Sequence, residues 1–439
     1  MPATTENAFP STSNAVDVGR YCHDLAKKLF PICRSLSGPG VRETLQHLAK
    51  ELAALTVHTV PTGSKAFDWD VPDEWTIRDA YVENEHGERI IDFRQHNLHV
   101  LGYSEPVDRW MDLEELEEHL HSLPEQPELI PYITSYYKRR WGFCLSHAQR
   151  QGLKPGRYRA VVDADLKPGV LNYGEVILPG RTDREIFIST YICHPSMANN
   201  ELSGPVVTTA IVRWLSSIDR NYTYRIVFIP ETIGSLIYLQ EHVDHLKEKV
   251  DAGFVVTCIG DERCYSYLPS RSGGTLADRA SLHALKHIDP DFIRYTWWDR
   301  GSDERQYCSP GVDLPMATIM RSKYGEYPEY HTSADDLTLV TPEGLGGGFL
   351  ALQTAISIIE ADDTYRVTTL GEPQLGKRGL YPTLSTKATS AQVRSMMNII
   401  SACDGSKSVL DIAELIGEPA LRVAEIIKPL IASGLLEKA

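Results

Sequence analysis

Apolar positions near the start of the chain recur at helical spacing. Tyr21, Leu25, Leu29 and Ile32 fall on one stripe, which predicts a helix. The run Ser37-Gly38-Pro39-Gly40 breaks it, and a second stripe from Val41 to Leu55 predicts another. The texture then shortens to β-like runs at 57–60, 76–83, 89–93 and 98–101, with a turn at His86-Gly87, the pattern of a small β subdomain. The charged segment 108–122 predicts a helix. From about 132 to 361, strands are predicted at 158–163, 171–177, 185–192, 224–229, 254–258 and 316–320. Helices are predicted at 204–218, 234–246, 276–287, 303–308 and 341–359. Such alternation predicts a mostly parallel or mixed sheet with helices on both faces, and the two hairpin-like early strands favour a mixed one.

After Asp362 a connector carries Gly371, Pro373, Gly376, Gly379 and Pro382. Three helical stripes follow at 392–401, 409–416 and 420–433, before Gly434-Leu435-Leu436. Three helices with a short terminal strand resemble a winged helix. The expected division is a disordered N-terminus at 1–14 and a main α/β domain at 15–56 and 130–362. A β subdomain is inserted at 57–129, and a connector with a winged-helix-like domain occupies 363–439.

Composition narrows the class. A chain of 439 residues with 42% hydrophobic content can bury a large core plus smaller pieces. A net charge of −15 repels phosphate backbones and anionic membranes, so neither nucleic acid nor membrane is an expected partner. In the C-terminal segment acids such as Asp404, Asp411, Glu414 and Glu418 match or outnumber the bases, which suits packing or protein binding. The first thirteen residues lack the basic start and apolar centre of a signal peptide. No run approaches the roughly 18 apolar residues of a spanning helix. The eight cysteines are scattered and read as reduced thiols. A cytoplasmic location is expected.

The densest chemistry lies in 193–204, Cys193-His194-Pro195-Ser196-Met197-Ala198-Asn199-Asn200-Glu201-Leu202-Ser203-Gly204, between an apolar strand-like run and an apolar helix-like run. A histidine at a strand's carboxyl end, followed by a polar loop and a small-residue helix start, is how open α/β sheets present a metal ligand. Two further islands are 228–235, a strand ending in Glu231, and 330–337, which carries His331 and is preceded by Gly301-Ser302-Asp303-Glu304-Arg305.

Together these islands resemble the zinc aminopeptidase family that includes glutaminyl cyclases. Within it the chain is similar to a bacterial aminopeptidase-like group with an inserted β domain and a C-terminal winged helix, found near polysaccharide or natural-product genes. The resemblance implies that His194 and His331 are the first and last metal histidines. It also implies that Glu231 is the general base. Three positions depart from the family pattern. Asn200 stands at the bridging aspartate, Thr232 at the ligand glutamate, and Cys258 near a further aspartate; Ser196 replaces an acid two residues after the first histidine.

These losses have a physical consequence. Two divalent ions a few ångströms apart repel, and a bridging carboxylate offsets that repulsion. A neutral amide cannot, so one zinc is expected rather than a pair. Catalytic zinc is satisfied by three protein ligands plus water. His194 and His331 with Asn200, Glu231, Asp261, Asp303 or the Cys258 thiolate are candidates. Each has a bland alternative: Cys258 as a buried apolar residue, Asn200 as a helix cap, Asp303 as a partner of His331 or another cap.

The 324–330 loop brings Tyr324, Glu326 and Tyr330 beside His331, and its acids favour a cationic amine. Arg300, Arg305 and Arg321 offer the opposite preference, a carboxylate or phosphate. Tyr136, Tyr137 and Trp141 could line the cleft or pack in the core. The expected function is zinc-dependent amide hydrolysis of a small aminoacyl or peptidyl substrate, in natural-product or polysaccharide biosynthesis. The alternative is a degraded-site protein that binds an amine-bearing ligand or a protein partner. In this family an inserted β domain rims the cleft or builds an interface, so a homo-oligomer also belongs among the expectations.

Overall fold

The computed structural model describes residues 12–380 and 387–439. The expected disorder at 1–14 falls outside them up to residue 11; a helix, Thr12–Leu29, begins within that range.

Eight strands form the large sheet. Their spatial order is Thr56–Pro61, Val170–Leu178, Thr223–Ile229, Glu185–Tyr191, Val250–Val255, Met316–Met320, Ser266–Leu268 and Ile293–Arg294. The middle four run parallel; on one side Val170–Leu178 runs antiparallel to them, and Thr56–Pro61 runs antiparallel to Val170–Leu178. The sheet is mixed, as the alternating pattern implied.

Alternate side chains of each central strand enter different cores. Ile186, Ile188, Ile226, Phe228 and Phe254 face the helices Thr12–Leu29, Ser203–Ser216, Leu276–Ile288 and Pro342–Ala361. Phe187, Val227, Ile229 and Val255 face the helix Ile233–Lys249 and the small sheet. Each such side chain, fully buried, contributes roughly 1.5–3 kcal/mol. Pro342–Ala361 is the one helix among the described residues that is long and apolar enough to cross a membrane. However, 72% of its apolar window is buried inside the protein, so it is a core helix.

The small sheet corrects the expected boundaries. Its order is Arg89–Asp92, Glu74–Asn84, Arg157–Lys167 and Val107–Asp112. The 158–163 run therefore belongs to the insert and not to the large sheet, while 57–60 lies at the large sheet's edge. The run 98–101 holds a single 3₁₀ turn, Asn97–His99, and the charged segment splits into the strand Val107–Asp112 and the short helix Leu113–Glu117. Local periodicity carried no information about which sheet each strand would join.

The C-terminal unit is a winged helix. It has three helices, Lys387–Ala402, Val409–Ile416 and Ala420–Ala432, against a three-stranded sheet that borrows Thr364–Val367 from the connector.

Candidate active site

The central parallel strands all end on one side, where open sheets place their chemistry. Glu185–Tyr191 leads to His194, Thr223–Ile229 to Glu231, and Val250–Val255 to Cys258. The expected strand 254–258 stops at Val255, so Cys258 sits in the loop beyond it. Four non-glycine residues around this edge hold a left-handed backbone: Ser196 (φ 45°), Thr232 (φ 64°), Cys258 (φ 49°) and His331 (φ 55°). Strain of this kind costs about 1–3 kcal/mol per residue and gathers where side chains must be aimed.

Gly204 lets the loop approach the sheet. A Cβ there would stand 2.3 Å from the Val256 carbonyl oxygen and 2.4 Å from Thr190 Oγ1. The loop is also tied to the His331 segment. Asp335 accepts the backbone N–H groups of Ala198, Asn199 and Asn200 and the Tyr327 hydroxyl.

His194 and His331 converge, with ring centroids 5.8 Å apart and planes 40° apart. An imidazole bound to zinc holds its centroid roughly 3 Å from the ion, so two rings on one ion lie roughly 5–6 Å apart. His194 Nε2 stands 3.6 Å from Glu231 Oε2. His331 Nε2 stands 3.1 Å from Asn200 Oδ1, whose amide nitrogen donates to the Tyr191 hydroxyl at 2.8 Å. Tyr132 packs on both histidines, and Tyr330 stacks on His331 at 3.9 Å.

His194 Nδ1 lies 2.7 Å from Glu201 Oε2, and Glu201 Oε1 pairs with Arg34 Nε at 3.3 Å, both side chains fully buried. Arg34 also donates to the His194 carbonyl at 3.0 Å. A carboxylate behind a ligating imidazole fixes its tautomer and raises its basicity at the other nitrogen. Burial by itself lowers the His194 pKa, yet the Glu201 carboxylate outweighs it and the net shift is upward. His331 has no such partner. Burial and the neighbouring His194 bring it down to about 3, which leaves a neutral ring with a free lone pair. Burial raises the Glu231 carboxyl, against the pull of His194 and Arg305.

Imidazole nitrogens, an amide oxygen and a carboxylate are donors of a kind that a single zinc ion accepts. His194, His331 and the Glu231 carboxylate line one cavity, and His331 Nε2 donates to the Asn200 amide oxygen. The structure holds no carboxylate at Asn200 to neutralise a second ion. Among the described residues, the one group of three His, Cys, Asp or Glu donors within 4.8 Å of one another, Cys193, His194 and Glu201, is already spent. Cys193 Sγ accepts the Glu231 N–H at 3.2 Å, and Arg34 holds Glu201.

Other expected residues lie elsewhere. Burial pushes the Cys258 thiol up to about 12, and its sulfur sits 3.9 Å from the Asn200 amide nitrogen, on the side away from His331. Asp303 accepts from Thr232 N and Ser235 Oγ; burial and the charge of Glu231 lift it to about 8. Asp261 is spent on Asn199, Ser322 and the Arg263 backbone. Tyr324 is buried against Glu304, and Glu326 pairs with Lys323 at 3.6 Å; neither lines the cavity. Arg305 does, with Nη2 donating to Thr232 Oγ1 at 2.8 Å.

The cavity has a volume of about 390 Å³. His194, Glu231 and His331 lie in its wall, with Tyr132, Tyr136, Tyr137 and Trp69 around them. Trp141 stacks instead on His119. Sequence reasoning missed Glu201, Arg34, Tyr132 and Trp69. For Glu201 a signal existed, an acid seven positions after the histidine inside the quoted loop; for Arg34 none did.

A family model described as a domain of unknown function, DUF4910, matches residues 23–362, and a winged helix-turn-helix model matches 363–438. The chain belongs to the DUF4910 family. This DUF4910 protein is 41% identical over 402 residues to a Clostridium acetobutylicum protein, provisionally named for polysaccharide biosynthesis with an aminopeptidase-like domain. The match spans 91% of this chain and 92% of that one. The crystal structure of a provisionally named peptidase from C. acetobutylicum superposes with a TM-score of 0.92 at 39% identity, over 98% of both chains. A zinc aminopeptidase from Bacillus subtilis reaches a TM-score of 0.56 at 13% identity, over 77% of this chain and 94% of its own, which shows a common fold. The DUF4910 portion is thus an aminopeptidase-like α/β domain, followed by a winged helix.

Proposed function

We propose that this protein is a metal-dependent amide hydrolase of aminopeptidase type that uses one zinc ion. His194, His331 and Asn200 Oδ1 would hold the ion. When bound, zinc lowers the pKa of a water and polarises a carbonyl. Glu231 takes the water's proton and returns it to the leaving amine, a task suited to a carboxyl whose pKa burial raises. Arg34 and Glu201 lock the His194 ring, and Tyr132 packs against both imidazoles. The reading is carried by the convergence of His194, His331 and Glu231 in the wall of one cavity. The name of the C. acetobutylicum relative supports a place in polysaccharide biosynthesis. The substrate is a small amide, within the size of the cavity.

The test is direct. Zinc-loaded protein should release amine from a panel of small aminoacyl and N-acyl amides. Glu231→Gln should lower that rate at least about a hundredfold with zinc content unchanged, and His194→Ala should lose the zinc. Equal rates in Glu231→Gln and wild type would reject the mechanism. The Asn200–His331 hydrogen bond favours a second reading, a ligand-binding protein of the same fold; metal-free protein that binds amides without turnover would select it.

A further inference from the structure

The cavity wall contains two formally charged side chains besides its histidines: Glu231, committed to chemistry, and Arg305. No second acid lines it. The acidic loop expected to recognise an amine turns away, with Glu326 on Lys323 and Glu329 on Arg263. Arg305 is exposed to the cavity and held by one arm. Thr232, a β-branched residue with φ of 64°, is in a backbone conformation such residues rarely adopt. Its Oγ1 thereby accepts Arg305 Nη2 at 2.8 Å. Among the described residues no carboxylate pairs with Arg305. A guanidinium has five N–H donors, so a bidentate face remains for a planar anion. At the position where the family resemblance placed a ligand glutamate, this chain therefore has a neutral residue that grips a cation. Around it stand Trp69, Tyr136 and Tyr137, with Trp69 edge-on to Tyr137 at 5.5 Å.

We infer that Arg305, positioned by Thr232, makes this site specific for amides bearing a carboxylate next to the scissile bond, with an aromatic or otherwise flat acyl group against Trp69, Tyr136 and Tyr137. The substrate class is the N-acyl amino acid rather than the free-amine aminoacyl amide. The inference deepens the hydrolase reading and rests on the same cavity.

Binding tests it without turnover. Isothermal titration with N-benzoylglycinate, its neutral carboxamide and the phenylalaninamide cation is run on chelator-treated protein and repeated with zinc. The carboxylate should bind roughly ten- to hundredfold more tightly than the carboxamide, in both metal states. Arg305→Gln should abolish the difference, and Thr232→Val should shrink it, with the melting temperature of Arg305→Gln unchanged. A preference that survives Arg305→Gln, tighter binding of the cation, or no measurable benzoylglycinate binding at millimolar concentration each overturns the proposal. Loss of turnover in Glu231→Gln with the carboxylate preference intact would separate specificity from mechanism. An inactive protein that still prefers the carboxylate through Arg305 would reject the hydrolase reading alone.

Discussion

Arg34 has no exposed surface, and a guanidinium removed from water must find charge and acceptors together. It finds the Glu201 carboxylate and the carbonyls of His194 and Leu29. Breaking one partner of such a pair costs about 3–5 kcal/mol because the other charge stays buried. Glu201→Gln keeps the shape and removes the charge. It should lower stability by about that amount and weaken zinc binding roughly 10- to 100-fold; urea unfolding and zinc titration measure the two effects. The pair replacement Arg34→Met with Glu201→Leu should be the milder change for stability. Glu201→Gln that unfolds at the wild-type urea midpoint would show that the pair is dispensable. Sequence spacing pointed to His194 because a histidine after an apolar run is a local pattern. Arg34 joins it across the fold, and nothing in a local period tells which distant loop will close on a ligand.

Elements place these residues through close approaches that leave little room for change. The helix Ser203–Ser216 begins against the sheet at Gly204, where the Val256 backbone and the Thr190 hydroxyl block a Cβ. Gly204→Ala should cost about 1–3 kcal/mol and displace Asn200, so stability and zinc affinity should fall together. A variant that loses neither would show that the helix start can shift freely. The 3₁₀ turn Asn97–His99 depends on a proton. His96 Nδ1 accepts the Leu98 N–H at 3.1 Å, and burial with neighbouring His99 lowers its pKa to about 4, against a weak opposing pull from Asp336. The unfolded chain therefore protonates first, near 6.5. The stability carried by the neutral ring is whole above that pH and is lost as pH falls toward 4. His96→Asn retains an acceptor at the cap without titrating. It should lose less of its urea midpoint between pH 7 and 5 than wild type does; equal losses would place the acid sensitivity elsewhere. The strands and helices themselves were legible because each alternates or repeats at its own period. Sheet membership of Thr56–Pro61 and Arg157–Lys167 was not, since register across long connections is set by tertiary packing.

At the scale of the molecule, the question is whether the winged helix is an appendage or part of one cooperative unit. One apolar cluster runs without a break from Ile186 and Phe349 to Ile399, Ile427 and Leu436. Polar contacts close the same seam. Arg279 pairs with Asp411 at 2.6 Å and Lys286 with Glu414 at 3.2 Å. The buried His283 places Nδ1 on Glu414, while its Nε2 accepts the first N–H of the helix Ala420–Ala432 at 2.9 Å. That geometry requires a neutral ring protonated at Nδ1. It also docks the start of the unit's last helix on the aminopeptidase-like domain, so a buried hydrogen bond ties the two domains. The intact chain should unfold in a single calorimetric transition. His283→Leu retains volume but leaves the Ala420 N–H without its acceptor, a loss of about 1–3 kcal/mol located at the seam. The C-terminal unit should then melt ahead of the rest as a resolved second peak, while ligand binding in the distant cavity stays unchanged. Two transitions already present in the intact chain, or one unaltered peak in His283→Leu, would mean that the shared core and not this histidine decides how the domains hold together.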